Sequence, residues 1–579
     1  MNDDQSHAGA WSLGECLPTA GEITVAETLS LLETSSPGLA EGVARGLYAL
    51  WLGSGISLER VVGVPAVVGR VIEYLRSRMD PAGNDCRYKV ALEQVIAQLS
   101  PPERQLLHLD LPIEDWPADD RKTVTCRLAG FYSEVLETQL DGEAEADFLL
   151  WQAVDVPGSF TGDEPDAEHL CIVMLTLEGA FRDISSANWD YLIEAAEREL
   201  AGAVGSQIDV CICAGDFQGA GGRAKLLKYH GCAVKAVAEP DIYRRLLIAR
   251  TPQIQGYRLN AAYNVMRGHL LTLVQQRRTL MIGFSAQDND VQEIFVEGAQ
   301  HSNWDWNAAL KAFIFAEEAL KQGQKGVLTS AYGEANYHAN RVAIEANARV
   351  RAFAKPLLIA LLLNVLEMKA VALTDLGLPA AWLVHQKAAI GAGLRQLRDG
   401  AAATAADPLA FVRRLIGALN HGQDLFQHGN TDHGRYLPIS RDTLQQIGGV
   451  NAATGLRQAS VALALLGHGA GAGNWKVTND AARNTPILLD QEGKTTRVFL
   501  AANDYVASSM VQNGHVDPDS HDTVVLLSAS ATQRSARFPG GKYGRDAKVK
   551  LREICMTSLI EHATDAADLL ESFKRSASL

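Results

Sequence analysis

Leu47-Tyr-Ala-Leu-Trp-Leu52 runs directly into Gly53-Ser54-Gly55-Ile56-Ser57. A short apolar run that stops at glycines reads as a buried strand ending in a tight turn. Two glycines after a strand let the backbone approach a ligand closely, and successive N–H groups there can form an anion nest for a pyrophosphate. Leu58 stands where the usual dinucleotide fingerprint has its third glycine, so the turn alone does not identify a nucleotide site. The plain alternative is a strand-to-helix connection. Gly63-Val64-Pro65 follows as a second break, suited to a loop folding over a ligand, and apolar residues then recur at helical spacing through 66–78.

Working outward, strand-like runs stand at 170–177, 208–213, 225–229 and 279–284. Helical patterns lie between them, near 190–203, 256–277 and 287–299. This alternation predicts βαβ units and a Rossmann-like parallel sheet, an α/β fold spanning 45–330. Ser100-Pro-Pro-Glu103 is a capping box with Pro at the first helical position. It opens an acidic helical insert expected near 100–168. Between Arg127 and Arg182 there are twelve acids and no Lys or Arg. That stretch reads as a solvated acidic face, with a docking surface for a basic partner as the alternative. Residues 1–44 read as an acidic N-terminal arm. Residues 331–579 read as a helix-rich, mixed C-terminal domain that regulates or binds a partner, with strands expected near 496–501 and 523–527.

Composition narrows the class. The chain carries 53 basic and 68 acidic residues, a formal net charge of −15. That balance argues against coating nucleic acid over the whole surface. The first basic residue is Arg45, so no secretory or transit signal is expected. The longest apolar run, Pro356-Leu-Leu-Ile-Ala-Leu-Leu-Leu363, is short of the roughly 18 residues of a membrane span. None of the eight cysteines forms a Cys-x-x-Cys pair, so neither structural zinc nor a disulfide framework is expected. The expectation is a reduced, cytoplasmic protein.

Three further segments fall at strand ends. Ser186-Ala187-Asn188-Trp189-Asp190 opens a helix, where Asn or Asp would also serve as a cap. Lys228-Tyr229-His230-Gly231 ends a strand, and its histidine alone would read as a satisfied polar contact. Gly283-Phe284-Ser285-Ala-Gln-Asp288 is a strand ending before a helix. Parallel sheets deliver ligand-binding groups at such positions.

In this order, GSGIS…GVP, SANWD, KYHG and GFSAQD resemble the sirtuin-like NAD-binding fold of the silent information regulator family. The resemblance covers roughly 45–300 and is nearest to the bacterial branch that hydrolyses NAD in antiphage defence. It implies NAD as substrate, held by Gly53, Ser54, Gly55, Ile56, Ser57 and by Gly283, Phe284, Ser285. It also implies catalysis by Asn188 and His230, with Asp190 as an orienting group or a structural cap. Deacylating sirtuins carry two Cys-x-x-Cys pairs between the histidine and the second glycine turn. This chain has only Cys232 there, so no metal is expected. Ala66-Val-Val replaces the acidic-aromatic-arginine run of deacylases, and Ser-Ala replaces Thr-Thr before Asn188. The resemblance implies an effector that depletes NAD when triggered, as a homo-oligomer or with a HerA-type ATPase, a short Argonaute or a phage-derived trigger.

The chemistry suits those residues. Nicotinamide leaves NAD as a neutral pyridine, so no general acid is needed and the paired carboxylates of ordinary glycosidases are not expected. A neutral amide can orient water or a ribose hydroxyl, and a histidine can accept its proton. Two rival readings are a non-catalytic NAD- or ADP-ribose-binding subunit and a zinc-free protein deacylase.

Other signals carry less. Gly469-Ala-Gly-Ala-Gly473 lacks the Lys-Ser/Thr ending of a phosphate loop. His421, His428, Asp432 and His433 fit no ordinary metal spacing and read as a polar loop. Cys211 and Cys213 alternate along a strand and read as packing residues. Seven basic residues with Phe538 and Tyr543 lie in 534–552. They read as a solvated segment, or as the place where nucleic acid or an acidic partner would bind.

Overall fold

A computed structural model describes residues 19–83, 85–218, 221–299, 304–431, 434–480, 484–528 and 551–579. A seven-stranded sheet is built from β1 (Tyr48–Leu52), β2 (Asp183–Ser186), β3 (Ile208–Cys211), β4 (Ala224–Lys228), β5 (Arg278–Ile282), β6 (Phe313–Ala316) and β7 (Arg349–Val350). Their order is β3-β4-β2-β1-β5-β6-β7, and every pairing is parallel. All five residues of β1 are buried. Ala49 and Trp51 enter one apolar core, while Tyr48, Leu50 and Leu52 enter the other. Helices therefore cover both faces, as an all-parallel sheet requires. This is the expected Rossmann-like architecture.

The strand order reverses at β1, whose neighbours are β2 and β5. Ligands of such sheets bind outside the carboxyl ends at that point. The register brings the ends level: Leu52 pairs with Ser186 and with Ile282, and Ser186 pairs with Lys228. The four motifs thus leave the sheet side by side.

Short helices, among them Arg87–Ile96, Ala118–Ala129, Tyr132–Glu137 and Val156–Phe160, form the expected insert between β1 and β2. The Ser100–Glu103 capping box is present, but its helix is only Pro101–Arg104. Several acids of the insert are engaged. Asp147 pairs with Arg244, Glu143 with Arg87, Asp163 with Arg198, and Asp166 with Arg60 and Lys355. Part of the face is thus tied to its own fold, while Glu134, Asp141 and Asp155 stay exposed.

Several readings are corrected. Residues 170–177 belong to a helix, Ala167–Leu177, in which all eleven residues are buried. An apolar run buried on every side carries no period that separates strand from helix. The neighbouring strand is instead β2. Residues 25–44 are not an arm: the helices Val25–Thr34 and Leu39–Ala44 put Val25, Leu29, Leu32, Leu39 and Val43 into the second core. The parallel sheet continues past 330 to β7. Gly63 is the N-cap of the helix Val64–Arg76, not part of a covering loop. The run at 356–363 extends into a 24-residue helix, Ala354–Gly377. By length and composition that helix could cross a membrane, but 83% of its most apolar window is buried in the fold. It is a core helix, packed among other helices that include Ala167–Leu177, Val25–Thr34 and Leu39–Ala44.

Beyond it the chain is helical and then mixed. A second sheet, in the order β12-β11-β10-β9-β8, comprises β8 (Trp475–Asp480), β9 (Thr485–Asp490), β10 (Thr495–Ala501), β11 (Thr523–Leu527) and β12 (Arg552–Cys555). Gly469 lies in the helix Leu456–Gly471, where a Cβ would strike the Trp475 ring at 2.0 Å, so Gly469 serves packing. His421 and His428 lie on the helix Pro408–His428, while Asp432 and His433 fall outside the described residues. Arg534 to Lys550 of the basic segment also lie outside them.

Candidate active site

The level strand ends open into a cavity of about 970 Å³. Gly53, Ser54, Gly55, Asn188, Asp190, His230, Gly283, Phe284 and Ser285 all line it. Ile56 and Ser57 are buried just behind.

The two glycine turns are built against each other. A Cβ on Gly55 would lie 2.6 Å from the Gly283 Cα, and one on Gly53 would lie 2.5 Å from the Gly283 carbonyl. Gly283 has φ +61°, a left-handed conformation that glycine adopts without strain. The anion-nest reading is corrected here. The N–H groups of Gly53, Gly55, Ile56 and Ser57 donate to Ile282, Gly283, Gly53 and Ser54 carbonyls respectively. The glycines serve close approach rather than a ring of free donors.

Asn188 follows β2. It does not cap the next helix, which starts at Leu192 and whose Leu192 N–H donates to Asp190 Oδ1 at 3.1 Å. Instead the Asn188 Nδ2 donates to the Gly53 carbonyl at 3.1 Å and to Ser57 Oγ at 3.3 Å. A carbonyl can only accept, so the nitrogen is fixed on that side. Oδ1 is left buried with no partner. A buried acceptor without a partner is costly unless a ligand completes it.

His230 is placed by Gly231, whose φ is +92° and whose Cβ would strike the Leu246 carbonyl at 2.5 Å. Its Nε2–H donates to Asp290 Oδ2 at 2.8 Å, which leaves Nδ1 as the lone-pair nitrogen. Burial alone would lower the His230 pKa, but Asp290, through charge and hydrogen bond, and Asp288 hold it above the ordinary 6.5. Burial raises the Asp288 pKa, and Tyr132 of the insert donates to its carboxylate at 3.2 Å. The Asp290 partner was missed in sequence. The only available signal was an acid at the start of the helix Asn289–Ala299.

His230, Asp288 and Asp290 have ligand atoms within 4.8 Å of one another, the one such group among the described residues that could hold a metal ion. Hydrogen bonds from His230 to Asp290 and from Tyr132 to Asp288 already engage both carboxylates.

The far wall comes from outside the strand ends. Ala20 to Val25, Phe353 to Pro356, and Ala405, Ala406 and Pro408 line it. Ala20 N–H donates to Glu318, and Phe353 N–H donates to the Ala20 carbonyl at 3.1 Å. Glu168 lines the same wall. Burial pushes its carboxyl up to about 7, and its Oε2 has no partner.

No curated protein matches this chain. Residues 182–335 match a family model described as the SIR2-like domain, a stretch that holds Asn188, Asp190, His230 and the Gly283 turn and begins after the Gly53 turn. Together with the parallel sheet and its switch-point cavity, that match supports the sirtuin-like family, whose domains are NAD-dependent enzymes.

Proposed function

We propose that the chain is an NAD glycohydrolase, cleaving NAD to nicotinamide and ADP-ribose. One observation carries this reading: Asn188, whose buried Oδ1 has no partner, and the carboxylate-held His230 line one cavity, with two interlocked glycine turns at its wall. A binding protein would have no need of a histidine whose tautomer and basicity are set by a buried carboxylate.

In the proposed reaction the nicotinamide N-glycosidic bond breaks and its electron pair leaves with the pyridine nitrogen. Asn188 Oδ1 accepts a hydrogen bond from a ribose hydroxyl or the attacking water. His230 Nδ1 takes the proton released as water adds to the anomeric carbon. Asp290 holds the tautomer and stabilises the imidazolium. Asp190, whose carboxylate caps the helix Leu192–Ala201, orients the Asn188 turn.

The test is nicotinamide release from NAD alone and from NAD plus an acetyl-lysine peptide. Peptide-independent release supports the hydrolase, peptide-dependent release a zinc-free deacylase, and ADP-ribose binding without release a non-catalytic subunit. Asn188→Ala and His230→Ala should each abolish release while the fold survives. Activity retained in both variants refutes the site.

We further propose, from the family resemblance, that the activity serves antiphage defence, with triggered NAD depletion in a homo-oligomer or with a HerA-type ATPase or short Argonaute. Measuring cellular NAD after phage challenge, with and without His230→Ala, tests that role.

A further inference from the structure

A buried histidine outside the four motifs bears on the same amide. His169 lies in the helix Ala167–Leu177 and is fully buried. Its Nδ1 accepts the Asp166 N–H at 3.2 Å, and its Nε2 lies 3.3 Å from Ser57 Oγ. An imidazole nitrogen that accepts a backbone N–H carries no proton of its own, so the proton of neutral His169 is on Nε2 and points at Ser57. Burial drives the His169 pKa down to about 4, so the ring stays neutral at cellular pH.

Ser57 Oγ therefore accepts two hydrogens, from His169 Nε2 and Asn188 Nδ2. That occupancy matters for Asn188. With His169 in place, Ser57 presents lone pairs to the amide nitrogen, and the amide oxygen must turn away from it. Without His169, the Ser57 hydroxyl is free to rotate and donate to Asn188 Oδ1. Only the Gly53 carbonyl would then oppose a flip of the amide, and a flip would take away the acceptor left for a ligand. Asp166 anchors the arrangement: it caps the same helix and accepts Arg60 Nε at 3.0 Å, from the loop that follows Ser57.

We propose that His169 is a positioning residue, which through Ser57 fixes the Asn188 amide with its oxygen free for the ribose end of the ligand. The inference rests on the NAD-site reading, and its test separates the two. ADP-ribose affinity is measured by calorimetry for the full chain and for His169→Leu, Asn188→Ala, the double variant and His169→Gln. Nicotinamide release is measured on the same samples.

His169→Leu is expected to weaken ADP-ribose about fivefold, the loss of roughly one hydrogen bond. In the Asn188→Ala background the same change should have no further effect, because the group it positions is gone. His169→Gln, which keeps an N–H donor, should return the affinity to within about twofold. An equal loss in both backgrounds, or wild-type affinity in His169→Leu, overturns the proposal. If His169→Leu does not fold, Ser57→Ala breaks the same link and takes its place in the cycle. A coupled cycle with no nicotinamide release from the wild type would sink the hydrolase reading alone. No ADP-ribose binding by the wild type would sink both.

Discussion

Gly55→Ala isolates the interlock of the two glycine turns. The new Cβ would stand 2.6 Å from the Gly283 Cα and 2.9 Å from its carbonyl oxygen. Ordinary carbon–carbon contact begins near ~3.5 Å, so the turns must part by about 1 Å. Neither neighbour is a flexible side-chain end. Both are backbone, and Gly55 N–H is itself bonded to the Gly283 carbonyl at 3.0 Å. Asn188 is tied to Gly53 and Ser57 on either side of Gly55, so a shift of the turn carries the amide with it. A misplacement of ~1 Å at a reacting centre can lower turnover about 10²-fold. The expected result is a fall of that order in kcat/KM for NAD, with a stability loss of about 1–3 kcal/mol. The control is Gly268→Ala in the helix Asn264–Gln276, where a Cβ meets nothing. It should be neutral or stabilise by up to ~1 kcal/mol. Steady-state nicotinamide release and thermal melts on both variants read the difference. Gly55→Ala with wild-type kcat/KM would refute the claim that the turns work through close approach.

The pH dependence follows from His230. A base must be neutral, so nicotinamide release should rise through the raised His230 pKa, above 6.5, and level off. Asp290→Asn removes a carboxylate that raises it, so the rising limb should move to lower pH while the plateau falls. A limb that stays in place would mean that another group titrates. For stability the sign is the reverse: the His230 contribution is full below about pH 6.5 and fades as pH rises through the higher folded value. Lys369 is fully buried and donates to Glu178 Oε2 at 2.9 Å and to the Ser440 carbonyl at 2.6 Å. Lys369→Met leaves the buried Glu178 without its ion-pair partner, though Tyr436 and the Ile439 N–H still donate to it, and should cost about 3 kcal/mol in denaturant unfolding; an unchanged midpoint would contradict that. Dialysis against a chelator should leave NAD turnover within about twofold. Loss restored by one divalent cation would instead assign a metal to His230, Asp288 and Asp290.

What the sequence made legible had local causes. A glycine forced by close approach, as at Gly53 and Gly55, shows in a one-dimensional pattern, and so does a glycine that turns a histidine out of a strand end, as Gly231 does. Parallel strand ends then gather such patterns on one edge of the sheet. What stayed hidden depends on distance in sequence. His169 meets Ser57 across 112 residues and looks like one more polar letter before an apolar run. Asp290 meets His230 across 60. β2 carries a single apolar residue, Ile184, and β7 is only two residues long, so neither shows the alternation that marks a strand.

The same reasoning changes what the two ends of the chain mean. An acidic first segment and a helical second half look separable by composition, but a cavity wall tests that differently. Ala20 to Val25, Phe353 to Pro356 and Pro408 line the cavity that holds Asn188 and His230. The Ala20 carbonyl is bonded to Phe353, and Ala20 N–H to Glu318, which also pairs with Arg351. The helix that starts at Ala354 carries Lys369, whose buried bond to Glu178 fastens it beside β2. This helix therefore touches the cavity wall at its first residues and the loop leading into β2, the strand that delivers Asn188, at Lys369. A cut between the halves near 330 would remove β7, the part of the far wall at Phe353–Pro356 and Ala405–Pro408, and the Lys369 anchor together. The catalytic groups would keep their sequence and lose their enclosure.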